Sequence, residues 1–276
     1  MSARWDSAEA PVLPRISLLG WCVVILRALV LIVVVFGSLA VLLVLRLIER
    51  PLCGQIRPVT PFITQGVCKT ALVLMGLKLT VRGTPMRHRG AVVANHSSWL
   101  DIFVLNAAQR IYFVSKSEVA GWPGIGWLAR ATGTVFIERN PRHAREQTEM
   151  FQTRLLAGHR LLFFPEGTST DGLQVLPFKT TLFQAFLAPE LASEIWVQPV
   201  SVTYHAPAGT DRRFYGWWGD MSFGSHLVAT LAVWRQGQVT TQYHAPLKVS
   251  DFASRKDLAL ACELRVRADH HQTRPD

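Results

Sequence analysis

The chain has 276 residues, enough for one sizeable core with appendages, and is 49% hydrophobic but only 17% charged, apolar and charge-poor for a soluble protein. Its formal charge is +10 and its mean hydropathy +0.21; with no arginine-rich helix, RNP-like aromatic motif or zinc-finger spacing, an anionic membrane is a better partner than nucleic acid. Cysteines at 22, 53, 68 and 262 show no paired spacing and no C-x-x-C, which fits reduced thiols in a cytoplasmic setting and excludes a disulfide frame or a zinc site, so no metal is expected.

Residues 1–15 form a leader. It carries Asp6 and Glu9, and with the long apolar run that follows it argues against a cleaved signal peptide. From Ile16 to Leu45 the only charge is Arg27. Ala28 to Leu45 is about eighteen residues without a charge, roughly 27 Å as helix, close to a bilayer core. The segment 16–48 therefore reads as transmembrane or re-entrant. It fits a single span with Arg27 snorkelling at its edge, a tilted longer helix, or a pair bending near Gly37-Ser38. Arg4 and Arg15 precede it, whereas Arg46, Arg50, Arg57, Lys69, Lys78 and Arg82 follow, so the positive-inside rule places the remainder in the cytoplasm. A connector, 49–80, is broken by Pro51, Pro58 and Pro61. It then enters an apolar helix, Phe62 to Leu77, that can lie on the membrane or roof the globular part.

From 81 to 268, short apolar runs alternate with helical patterns. The expected strands are Lys78-Arg82, Ala91-Ala94, Ile111-Val114, Thr134-Ile137, Leu161-Phe164, Val197-Thr203 and Val239-His244. The expected helices are Trp99-Ala108, Gly126-Ala131, Arg142-Ala157, Lys179-Ala188 and Leu258-Ala268. This alternation predicts an α/β fold, a mixed sheet covered by helices and preceded by N-terminal membrane helices. Residues 269–276 read as a loose tail.

Reactive groups recur just past the apolar strands. Val92-Val93-Ala94 leads into Asn95, His96, Ser97, Ser98 and, five residues after His96, Asp101. A carboxylate holding one imidazole nitrogen leaves the other as acceptor, which is what a general base needs. Ser98-x-x-Asp101 also reads as a capping box, and Asp101 can serve both purposes. Phe136-Ile137 leads to Glu138 and Arg139, and Leu161 to Phe164 leads to Pro165, Glu166, Gly167, Thr168 and Ser169. Pro199 interrupts a strand and suggests an edge or a bulge. In open α/β sheets ligands gather at the carboxyl ends of strands, where His96, Arg139 and Glu166 would meet. Pro177 suits the first position of a helix and would put Lys179 in its first turn, where an anionic ligand could offset the unfavourable charge.

Together these stretches resemble the glycerophospholipid acyltransferase family, whose bacterial type is 1-acylglycerol-3-phosphate acyltransferase. The N-H-x-x-x-x-D block matches Asn95, His96 and Asp101, and the F-I-x-R block matches Phe136, Ile137 and Arg139. The F-P-E-G-T block matches Phe164 to Thr168, and a proline flanked by valines is approximated by Val197-Gln198-Pro199-Val200. The resemblance implies a bacterial inner-membrane enzyme of lipid biosynthesis that moves a fatty acyl group from an acyl-acyl carrier protein or acyl-CoA thioester to a lyso-lipid hydroxyl. It needs no cofactor. It implies His96 as general base, Asp101 as the anchor of its imidazole, and backbone N–H groups near the oxyanion. Arg139, Glu166, Gly167 and Thr168 would bind the acceptor, with Lys116 after the strand Ile111-Val114 as a further cation for an anionic head group.

Phosphatidate-forming members commonly read E-G-T-R, whereas here Thr168 is followed by Ser169, Thr170 and Asp171. An arginine suits phosphate through a bidentate fork. The run F-P-E-G-T-S-T-D-G resembles instead the subgroup that acylates lyso-ornithine lipid, where Ser169 and Asp171 would face an ammonium. Lyso-ornithine lipid is thus the lead acceptor and lysophosphatidate the alternative, with Arg139, Lys116 and Lys179 as the available cations. A non-catalytic lipid-binding protein and a thioesterase-like hydrolase are the other classes that the residues allow. No G-x-S-x-G elbow supports Ser97 or Ser98 as a nucleophile.

Overall fold

A computed structural model describes residues 10–138 and 144–272. The helix α1 (Leu18–Cys53) is followed by α2 (Thr60–Met75), β1 (Lys78–Gly83), β2 (Gly90–Ala94), α3 (Asp101–Ala108), β3 (Tyr112–Lys116), α4 (Ile125–Thr132) and β4 (Val135–Ile137). Then come α5 (Ala144–Leu156), β5 (Arg160–Phe163), the short α6 (Pro189–Ala192), β6 (Trp196–His205), α7 (Phe223–Ala232), β7 (Gln238–Tyr243), β8 (Leu247–Lys248) and α8 (Arg255–Gln272). The fold is mixed α/β.

The strands form one sheet in the order β1-β7-β6-β2-β5-β3-β4, with β8 pairing beside β7 on β6. β6, β2, β5, β3 and β4 run parallel to their neighbours, while β7 and β8 are antiparallel to β6. Alternation along the strands divides the core between the two faces. Val92, Ala94, Phe113 and Leu162 pack with α2, α3 and α7 on one side. Ala91, Val93, Leu161 and Phe163 pack with Phe151 and Leu155 of α5, with Phe183 and Phe186, and with α8 on the other. Strands buried on both faces must be apolar throughout, which is why β2 and β5 read as continuous hydrophobic runs.

β6 is an internal strand, not the edge that Pro199 suggested. Val197 pairs with Leu247 of β8 and Val200 with Tyr243 of β7, so Pro199 falls where the neighbour on that side changes. Its missing N–H costs no ladder bond there.

α1 continues unbroken through Gly37 and Ser38, so the chain does not bend at that point. It is long and apolar enough to cross a membrane, and only 6% of its most apolar window is buried. Arg27 does not snorkel outward. Its guanidinium donates to the carbonyls of Leu231 (2.9 Å) and Val233 (2.6 Å), closing the carboxyl end of α7 and docking α1 on the domain. α2 roofs the domain, burying Cys68, Ala71, Leu72 and Met75 while Phe62 and Val73 stay exposed. All four cysteines are free thiols.

Two helical expectations change. Residues 173–181 are not helical, and only a 3-10 turn, Leu182–Leu187, follows them. The Lys179 N–H donates to the Pro165 carbonyl at 2.9 Å, which ties this stretch to the turn after β5. Lys179 is therefore exposed on an extended segment and occupies no helix N-terminus. At the other end, α8 runs on to Gln272 with His270 buried, past the point where the tail was expected to loosen.

Gly90 opens β2 with φ +142°, where a side chain is strained, and a Cβ would stand 1.8 Å from the Trp196 carbonyl oxygen. Gly90→Ala is expected to lower the thermal midpoint steeply by parting β2 from β6. Gly66→Ala, in α2 with nothing within 4 Å of its Cβ, should be neutral or stabilising by up to about 1 kcal/mol. Thermal unfolding of the two variants beside the parent checks the contrast.

Candidate active site

Because β2 and β5 are adjacent and parallel, their carboxyl ends bring two polar turns side by side. Asn95 fixes the exit from β2. Its buried side chain donates to the Val202 carbonyl (2.9 Å) and accepts from the Val202 N–H (2.8 Å), continuing the pairing with β6. The main chain of His96 is clamped by the neighbouring turn. Its N–H donates to Glu166 Oε1 at 2.6 Å, and its carbonyl accepts from the Thr170 N–H at 2.9 Å. The imidazole stacks on Phe164 with centroids 4.0 Å apart.

His96 Nδ1 lies 2.7 Å from Asp101 Oδ2. That oxygen also accepts from the N–H groups of Ser97 (2.9 Å) and Ser98 (3.0 Å), while Oδ1 accepts from the Tyr204 hydroxyl at 2.7 Å. Asp101 is completely buried, and its carboxylate thus collects four donors. It ties the turn before α3 to the first residue of that helix and holds the imidazole; no side chain among the described residues caps the α3 N-terminus. An acceptor-only carboxylate requires the proton on Nδ1 and leaves Nε2 as the acceptor. Burial, reinforced by the Asp101 charge, pushes the Tyr204 phenol well above its usual range, so it remains a donor.

The imidazole borders an apolar cavity of about 540 Å³ between the α1–α2 pair and the domain. Phe36 and Leu39 of α1, Val67 of α2, Ile125 of α4, Trp99 and Phe164 are among its walls, and it reaches as far as Leu42 and Thr134. This volume falls in the range of small-molecule sites, and its walls suit a hydrocarbon chain, each buried methylene being worth about 0.8 kcal/mol.

Glu166 stands behind His96, not in the cavity. It is 1% exposed, and its second oxygen accepts from the Leu176 N–H at 2.7 Å. Burial pushes its carboxyl up to about 8, against the pull of the two amide donors. Gly167, Thr168 and Ser169 are half-buried in the same turn, and Lys116 is half-buried at the carboxyl end of β3. These positions share the edge of the sheet with His96. The Lys179 backbone is tied to this turn by its bond to Pro165, and Arg139 lies outside the described residues. Tyr204 was not singled out from the sequence; the cue was a tyrosine closing a strand whose other end carries the valine-proline pattern.

The model of the Acyltransferase family matches residues 78–203. A lyso-ornithine lipid O-acyltransferase of Rhodobacter capsulatus is 57% identical over 264 residues, covering 96% of each chain. One from Brucella abortus is 38% identical over 202 residues, 68% of this chain and 74% of its own. Among solved structures, the 1-acyl-sn-glycerophosphate acyltransferase of Thermotoga maritima shares the fold with a TM-score of 0.65 at 21% identity, over 93% of this chain and 98% of its own.

A glutamate whose carboxyl sits near 8 in the fold and near 4.5 when unfolded keeps its proton longer in the folded state. Stability from this group is therefore full below about 4.5 and is lost as pH rises towards about 8. Glu166→Gln should remove that slope. It should also be less stable at pH 6 by about 1–3 kcal/mol, because an amide NH₂ must then face a backbone N–H. Urea midpoints of both proteins between pH 5 and 9 check this.

Proposed function

The chain belongs to the acyltransferase family, and on that premise we propose that it completes a diacyl lipid by moving a fatty acyl group from an acyl thioester to the hydroxyl of lyso-ornithine lipid. The observation that carries the reading is the 2.7 Å His96–Asp101 pair at the border of an apolar cavity of about 540 Å³. His96 Nε2 takes the acceptor's hydroxyl proton as its oxygen attacks the thioester carbonyl carbon. Asp101 stabilises the imidazolium that forms. The tetrahedral species then collapses, the C–S bond breaks, and the imidazolium returns its proton to the departing thiolate. A positioned base of this kind contributes about 10²–10⁴-fold.

No acyl-enzyme enters. Ser98 Oγ accepts from the Leu100 N–H, and neither Ser97 nor Ser98 hydrogen-bonds to the imidazole among the described residues. The acceptor is lyso-ornithine lipid because relatives so named match this chain along 96% and 68% of its length. Ser169 also stands where a phosphate-binding arginine would. The donor is an acyl-acyl carrier protein or acyl-CoA, whose chain occupies the cavity. α1 is consistent with membrane association. We place the domain on the cytoplasmic side of a bacterial inner membrane, since the basic residues cluster after the apolar segment.

His96→Ala should lower turnover about 10³-fold or more with the fold intact. Tyr204→Phe, which leaves Asp101 Oδ1 without its donor, should lower kcat about tenfold while KM for both substrates holds. Labelled acyl donor offered with lyso-ornithine lipid and lysophosphatidate in parallel should favour the former. Full activity of His96→Ala would sink the mechanism. Preference for lysophosphatidate would reverse the acceptor alone, and acceptor-independent release of fatty acid would indicate a hydrolase.

A further inference from the structure

A second cavity, of about 480 Å³, lies at the opposite edge of the sheet from His96 and is lined by Arg46, Arg50, Arg57 and Arg130 with Leu43 and Ala131. Arg46 and Arg50 stand one turn apart at the end of α1, and Arg130 closes α4, which leads into the amino end of β4. Arg57 faces the ring of Tyr112, the first residue of β3, at 6.0 Å, and Arg154 faces the same ring at 4.9 Å. The amino ends of the parallel strands thus gather arginine, as their carboxyl ends gather the catalytic turns.

No carboxylate lines this cavity among the described residues. Glu49 pairs with Arg46 at 3.1 Å, but its oxygens are already engaged by the Val59 N–H and by the N–H and hydroxyl of Thr60. Arg57 donates to the Ala131 carbonyl (2.7 Å) and Arg130 to the Ala120 carbonyl (2.7 Å), each using a fraction of a guanidinium's donors. Arg50 makes no side-chain hydrogen bond among the described residues. Counting one carboxylate and two helix carboxyl ends against four arginines leaves roughly two positive charges uncompensated. Burial lowers the pKa of Arg57 and brings that of Arg154 down to about 10, and in both the repulsion of a neighbouring arginine adds to it. The cations are held together against their own field. Beside them Leu47 and Leu52 are each 77% exposed and Ile56 is 56% exposed, apolar surface that a water-facing anion site would lack.

We infer that this cavity is a second lipid site, taking the phosphate of an anionic phospholipid head group while the lipid's chains lie along the exposed apolar end of α1. The shared chemistry is a phosphate anion on converging guanidinium forks, and the flanking leucines select a lipid over a free ion. The site is separate from the His96 cavity, and it does not depend on the acyl-transfer reading.

The full chain in detergent micelles, with thermal midpoint read against added phosphatidylglycerol, phosphatidylcholine or inorganic phosphate, tests the site. Phosphatidylglycerol alone should stabilise the parent in a saturable way. Arg50→Gln with Arg130→Gln, two exposed positions, should weaken that apparent affinity roughly ten- to thirty-fold, and lysine at both should restore most of it. Arg82→Gln with Arg87→Gln removes the same charge elsewhere and should leave it unchanged. Equal phosphatidylglycerol stabilisation of the Arg50–Arg130 variant and the parent would overturn the site, as would an equal loss in the Arg82–Arg87 control. An equal response to inorganic phosphate would overturn the lipid assignment. Because the readout is binding, neither result bears on whether His96 is the base.

Discussion

The structure turns on one buried charge. A carboxylate removed from water costs several kcal/mol unless its oxygens are paired, and Asp101, at 0% exposure, answers with four donors drawn from separate parts of the chain. The imidazole and two amides come from the turn after β2, and the phenol comes from β6, 103 positions further along. The ion therefore staples the exit of one strand, the start of a helix and the end of another strand into one unit. The same shell makes Asp101 acceptor-only, which sets the tautomer of His96. Folding and the proposed catalysis impose the same demand on this group.

Glu166 adds a second clamp one strand away, as a carboxyl that burial holds well above its usual range. It holds the His96 N–H from behind, while Thr170 holds the His96 carbonyl from the same turn. The histidine is thus fixed by its main chain, its Nδ1 and its stacked ring, and Nε2 remains for chemistry. Parallel pairing of β2 with β5 makes this possible, because only parallel neighbours bring two carboxyl ends together. The helices α1 and α2 then roof the crevice. Arg27 secures the roof by closing the end of α7, so an element apolar enough to cross a membrane also supplies walls to the cavity that His96 borders.

What could be read from the sequence was local. The strands of the central sheet announce themselves by apolar runs, and the turns after β2 and β5 by residues whose chemistry is contained within a few positions. The His96–Asp101 contact is legible for that reason, whereas the capping role expected of Asp101 is replaced by bonds to the Ser97 and Ser98 N–H groups ahead of the helix. Lys179 misled because Pro177 is a valid local helix signal, overridden by a backbone bond from Lys179 to Pro165. The helix α7 is only ten residues long and mostly apolar, which periodicity does not separate from a strand. Arg27 was judged by its apolar flanks, whereas its partners lie more than two hundred positions away. Tyr204 and the arginine cavity are invisible for the same reason, being products of topology.

The distribution of charge finally bears on the acceptor. The arginine-rich cavity lies at the amino ends of β3 and β4, while the turn bordering His96 carries uncharged Ser169 and, two residues on, Asp171. Asp171 is largely buried, with Oδ1 accepting from the Leu173 N–H at 2.9 Å, and the neighbouring Gly172 lies against Ser97. An arginine at 169 would add to this turn a fixed positive charge suited to a phosphomonoester. On the proposed reading, Ser169 with Asp171 two positions on leaves this turn without that charge, which suits an ammonium better than a phosphate. A head group that carries its own cation needs no guanidinium beside the reacting hydroxyl. The side chain at 169 can vary without touching the His96–Asp101 pair, whereas Thr170 of the same loop is tied to the His96 carbonyl.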